Sequence, residues 1–93
     1  MFYVYILKSE KSDSYYIGSC SNIKTRLSQH NSGVVKSTKR HTPWKLVYYE
    51  SCENLKKARQ REKQIKSWKK RSAIEKLLRN LINRGFTIVS GGP

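Results

Sequence analysis

The residues Phe2-Tyr3-Val4-Tyr5-Ile6-Leu7 are apolar, aromatic or β-branched at odd and even positions alike, so both sides of an extended chain built from them must be covered. Such a run belongs in the middle of a sheet. In a chain of 93 residues there is room for one thin-cored layered domain and no second. Tyr15-Tyr16-Ile17-Gly18-Ser19-Cys20 is another strand-forming run, reached through the polar stretch Lys8 to Ser14, and a hairpin is the simplest connection. Trp44 to Cys52, which holds Leu46-Val47-Tyr48-Tyr49, reads as a third strand.

Helical periods fill the remainder. Ser21 or Asn22 is placed to cap a helix over residues 22–32 that carries Ile23 and Leu27 one turn apart and stops at Gly33. Residues 33–43 show no period and several cations, which predicts a basic loop. A second helix is expected over 54–68, and a third from a Ser72 cap to Asn83, where Ile74, Leu77, Leu78, Leu81 and Ile82 form an amphipathic stripe. The order is β-β-α-β-α-α: an α+β fold with a three-stranded antiparallel sheet flanked by three helices, over residues 1–84. Residues 85–93 read as a flexible tail, with Phe86 to Val89 as an extra strand the other option.

Charge narrows the partners. Twenty Lys and Arg stand against 6 Asp and Glu, a formal net charge of +14, and such a chain attracts polyanions. The sequence holds no apolar run long enough to span a bilayer and no leader pattern, which predicts a soluble, cytoplasmic protein without a membrane partner. Cys20 and Cys52 are far apart and form no C-x-x-C pair, so free thiols are expected rather than a disulfide or a metal site.

With so few carboxylates, a site of several acids and two metals is hard to assemble. One acid stands out. Glu62 falls in the apolar stripe of Leu55, Ala58 and Ile65, so it faces the sheet, where a carboxylate needs either a cationic side chain or a metal. Arg26 and His30, four residues apart, project from one side of their helix; either they hold a phosphate and a proton, or the Arg is solvated and the His stabilises the helix end. Tyr5 and Tyr16 lie on adjacent strands, as packing residues or as phenols that bind a water. In the Lys39 to Lys45 segment, Trp44 is a core residue or a surface for stacking a base.

These elements in this order resemble the GIY-YIG endonuclease superfamily. Tyr3-Val4-Tyr5 stands at its GIY element, with Tyr3 in place of the first Gly, and Tyr16-Ile17-Gly18 is the YIG element, followed by Ser19 and Cys20 where Lys or Thr is common. Asn22 to Asn31 is similar to the family's Arg-bearing helix, and Ala58 to Lys66 to its metal-Glu helix. Leu46 to Glu50 and Lys63 to Trp68 look like the small stand-alone bacterial members.

The resemblance implies a metal-dependent endonuclease with Tyr5, Tyr16, Arg26, His30 and Glu62 as catalytic residues, gathered on one concave face. Glu62 would bind one divalent cation, magnesium or manganese, and no small-molecule cofactor is implied. Lys24, Lys36, Lys39, Arg40, Lys45, Arg59, Lys63 and Lys66 are the expected contacts to nucleic acid, DNA ahead of RNA, by a monomer. The other reading is a non-catalytic nucleic-acid- or ribosome-binding module on the same scaffold.

Overall fold

The N-terminal apolar run becomes β1 (Phe2–Ser9), the middle strand of a three-stranded antiparallel sheet with β2 (Tyr15–Cys20) and β3 (Trp44–Cys52), in the order β2-β1-β3. The architecture is that of a computed structural model in which residues 1–68 and 71–83 are described. Because β1 is central, its alternate side chains feed two separate cores. Val4 and Ile6 pack with Val47, Tyr48, Ala58, Ile65 and Ile74 on one face, while Tyr5 and Leu7 pack with Trp44 and Leu46 on the other. Each large buried side chain of this kind contributes roughly 1.5–3 kcal/mol, so the six-residue run accounts for much of what a small domain needs.

The β1–β3 register slips between Ile6, which pairs with Tyr48, and Leu7, which pairs with Leu46. The extra residue on β3, Val47, lets the consecutive Val47 and Tyr48 enter the same core, which strict alternation forbids. Trp44 is buried in the Tyr5 core, which settles it as a packing residue.

The helices divide between the faces. α1 (Ile23–Ser32) is capped by Asn22, whose side chain accepts the Thr25 N–H, and closes on Gly33 at φ 84°, a left-handed conformation that glycine adopts without penalty. Ile23 and Leu27 of α1 cover the Tyr5 face. The expected loop contains α2 (Lys36–Lys39), a four-residue turn of helix. α3 (Leu55–Ser67), capped by Asn54 on the Lys57 N–H, and α4 (Arg71–Asn83) cover the Val4 face. α4 begins at Arg71, one residue ahead of the expected Ser72 cap. The predicted tail, residues 85–93, lies outside the described residues. No helix among the described residues is long and apolar enough to cross a membrane, and Cys20 and Cys52 are free thiols.

Candidate active site

The pairing of β1 with β2 sets Tyr5 directly opposite Gly18. A Cβ at Gly18 would stand 2.6 Å from the Tyr5 hydroxyl and 3.0 Å from Tyr16 Cε2, so the phenol of Tyr5 lies over Gly18, and only glycine fits beneath it. Tyr16 has the same parity as Gly18 and therefore joins Tyr5 on the α1 side, with ring centroids 6.2 Å apart. His30, near the end of α1, completes the cluster at 4.8 Å from the Tyr16 ring.

The Tyr5 hydroxyl is 2.9 Å from His30 Nε2, and His30 Nδ1 is 2.8 Å from the Thr38 hydroxyl, which in turn donates to the Val35 carbonyl at 3.3 Å. His30 and Thr38 are both 0% exposed. Burial, helped by the nearby Arg26 charge, pushes His30 down to about 4, so it is a neutral imidazole at physiological pH. Burial pushes Tyr5 up to about 12 against the opposing pull of Arg26, so Tyr5 remains a neutral phenol. Both shifts favour the neutral partners, so proton transfer from Tyr5 to His30 is unfavourable. The pair is therefore a fixed hydrogen bond and not a proton store.

Arg26 is half-buried beside Tyr5, Tyr16 and Cys20, and Nη1 donates to Gln29 Oε1 at 3.0 Å. The phenol raises the guanidinium pKa further, chiefly by hydrogen bonding, so the charge is permanent. Arg26 is thus a permanent cation beside both phenols.

Glu62 is on the other side of β2. Its Oε1 accepts from Ser19 Oγ at 2.7 Å, its Oε2 meets Lys66 Nζ at 2.6 Å, and its side chain is 20% exposed. The acid faces the sheet, as its place in the stripe predicts, and its charged partner is the ammonium of Lys66. The expected single concave face is not what the fold builds. Tyr5, Tyr16, Arg26 and His30 come together under α1, and Glu62 stands under α3, with the edge strand β2 between them. The two halves meet along that strand, because Ser19, which holds Glu62, is the neighbour of Gly18, which holds Tyr5.

The predicted nucleic-acid contacts divide in the same way. Lys24, Lys36, Lys39 and Arg40 are exposed on the α1–α2 side, and Lys45 is half-buried on β3 opposite Lys8. Arg59 and Lys63 are exposed on α3, whereas Lys66 is engaged with Glu62. α3 sorts its cations: Lys57 pairs with Glu53 and Arg61 with Glu50. Sequence reasoning passed over Ser19 as a ligand of Glu62 and over Thr38 as a partner of His30. The parity of Ser19 against Gly18 was a usable signal for the first; for Thr38, in an aperiodic segment, none existed.

A sheet with tyrosines on its middle strand, a glycine on its edge strand and a carboxylate helix behind that edge defines a class of catalytic domain, and the chain belongs to the GIY-YIG family. The sequence profile of the GIY-YIG catalytic domain matches residues 1–77. Within the family the chain is similar to UPF0213 proteins: 46% identical over 67 residues to one from Clostridium perfringens, covering 71% of each chain. It is 46% identical over 78 residues to one from Syntrophus aciditrophicus (81% of this chain, 84% of the relative) and 36% identical over 74 residues to one from Staphylococcus haemolyticus (78% and 89%). No solved structure matches the chain.

Proposed function

We propose that this chain is a metal-dependent endonuclease that hydrolyses phosphodiester bonds of nucleic acid, DNA ahead of RNA, guided by backbone shape more than by sequence. The observation that carries this reading is the Gly18–Ser19 edge, which brings two phenols and a guanidinium to one side of β2 and a carboxylate to the other. Family membership supports the nuclease class.

The donor set around Glu62 suits a hard cation that keeps most of its waters: one partly exposed carboxylate and one hydroxyl, with no group of three His, Cys, Asp or Glu among the described residues. Glu62 would hold that cation, magnesium or manganese, which supplies positive charge to offset the leaving oxygen. Lys66 Nζ occupies Oε2 and must give way.

On the α1 side, Arg26 binds the scissile phosphate. Tyr5, whose hydroxyl is hydrogen-bonded to His30, offers its oxygen to the attacking water as an acceptor and stays neutral. The base role therefore falls to Tyr16, the half-buried phenol beside it. Water attack on phosphorus breaks the bond to the leaving oxygen, and the product carries a 5′ phosphate.

The Glu62–Lys66 ion pair also favours a second reading, a nucleic-acid-binding module in which the acid is structural. Purified protein incubated with single-stranded, duplex and branched substrates, with and without magnesium, separates the two. We expect magnesium-dependent cleavage that Glu62→Ala abolishes while substrate affinity changes less than about two-fold. Binding without cleavage in the parent protein refutes the nuclease reading.

A further inference from the structure

Thr38 belongs to no motif of the sequence, yet its hydroxyl is 0% exposed and lies at the end of the hydrogen-bond chain that starts at the Tyr5 phenol. The direction of that chain is set at its Thr38 end. At Tyr5, the nearby guanidinium of Arg26 carries donors and no acceptor, so it offers the phenol proton no partner. The available acceptor is His30 Nε2 at 2.9 Å. A neutral imidazole that accepts at Nε2 carries its hydrogen on Nδ1, and that hydrogen needs an acceptor 2.8 Å away at Thr38 Oγ1. Thr38 can accept because its own hydrogen is taken by the Val35 carbonyl at 3.3 Å. No buried side-chain nitrogen or oxygen among the described residues lacks a partner, so the chain closes without an orphan.

We propose that Thr38 is a positioning residue for the nuclease site: it holds His30 in the Nδ1–H tautomer, and His30 in turn holds the Tyr5 hydroxyl as a donor into the protein with its lone pairs turned toward substrate. The proposal rests on the nuclease reading for its consequence but not for its geometry. In the opposite tautomer, Nε2–H would donate to Tyr5, and the phenol hydrogen would turn outward toward Arg26 and the water, where an acceptor is required. Thr38 itself is held in place independently of the site. Its carbonyl accepts the Trp44 indole N–H at 2.9 Å, and Asn31 clamps the Trp44 backbone through both its amide groups, at 2.6 and 2.9 Å. The short helix α2 therefore exists to place one hydroxyl against the back of the imidazole.

The test compares the parent with Thr38→Val, which keeps the shape and removes the hydroxyl, and with Thr38→Ser, which keeps the hydroxyl. Two-bond nitrogen–proton NMR on the histidine-labelled protein reads the tautomer directly. We expect a protonated Nδ1 and a bare Nε2 at His30 in the parent and in Thr38→Ser, and a shift toward Nε2–H in Thr38→Val. In cleavage assays Thr38→Val should lower kcat about ten-fold or more with KM little changed, the effect of leaving a buried donor without its acceptor, and Thr38→Ser should restore it. A bare Nδ1 in the parent, or a tautomer that Thr38→Val leaves untouched, overturns the assignment whatever the activity. If Thr38→Val does not fold, the parent and Thr38→Ser spectra still decide the tautomer. Absence of cleavage in the parent with the tautomer as expected would overturn the catalytic consequence, by way of the nuclease reading, and uphold the hydrogen-bond chain.

Discussion

Gly18→Ala is the substitution in which the close fit over the edge strand can be measured. Alanine in a strand is ordinarily about 0.5–1 kcal/mol better than glycine, because less backbone freedom is lost on folding. Here the new methyl would meet Tyr5 Oη at 2.6 Å, Tyr5 Cζ at 2.8 Å and Tyr16 Cε2 at 3.0 Å, all inside ordinary contact distance. Tyr5 is 1% exposed and its hydroxyl is held by His30, so relief requires the phenol to leave that hydrogen bond or β2 to shift outward. Overpacking of this kind costs about 1–3 kcal/mol. The steric term outweighs the propensity gain, and a net loss of about 1–2 kcal/mol is expected, seen in urea as a fall of about 1 M in the unfolding midpoint. Tyr5→Phe alone should also destabilise, since it strands His30 Nε2 without a partner. Combined with Gly18→Ala, however, it removes the atom nearest the new methyl, so the double variant should be about 1 kcal/mol more stable than the sum of the singles. A neutral or stabilising Gly18→Ala, or strictly additive singles, refutes the packing of Tyr5 over Gly18.

Acid should destabilise the fold through His30: its folded pKa of about 4 lies below the unfolded value of 6.5, so the unfolded chain binds the proton first. The stability of the neutral form is complete above pH 6.5 and falls by up to roughly 3 kcal/mol as pH drops toward 4; urea midpoints across that window check it, and the slope should flatten in His30→Gln. Lys66→Met frees Glu62 Oε2 from its ammonium partner, and because the pair is partly exposed the gain is modest: manganese affinity, read by titration in electron paramagnetic resonance, should rise about two- to five-fold. Unchanged or weaker manganese binding would remove Glu62 Oε2 from the cation site.

Local signals in the sequence carry most of the fold. β1 is legible because it is apolar at both parities, α1 because Asn22 and Gly33 bracket it, and Glu62 because an acid interrupts the apolar stripe of α3. Three features had no local signal. α2 is a single turn with Val35 at its start and no side-chain cap, held by the bonds of Thr38 and Trp44 to other elements, so its four residues look like loop when read alone. The slip in register that puts Val47 and Tyr48 in one core depends on the partner strand. The separation of Glu62 from the phenols depends on which face each helix covers, and a sequence states the parity of its strands without stating which side a crossing helix takes.

That separation alters what the edge strand contributes. Were all five residues on one face, β2 would be scaffold, and substitutions on its far side would affect stability alone. With the phenols under α1 and the carboxylate under α3, the consecutive Gly18 and Ser19 point to opposite faces, and each supports one half of the proposed site. Gly18 admits the Tyr5 phenol by having no side chain, and Ser19 fixes Glu62 by having a short one. A longer side chain at 19 would displace the carboxylate outward, and any side chain at 18 would displace the phenol. Because β2 is an edge strand, it is paired on one side only, to β1. On the proposed reading the site is built around a strand instead of on top of one, and two adjacent small residues make room for its two halves.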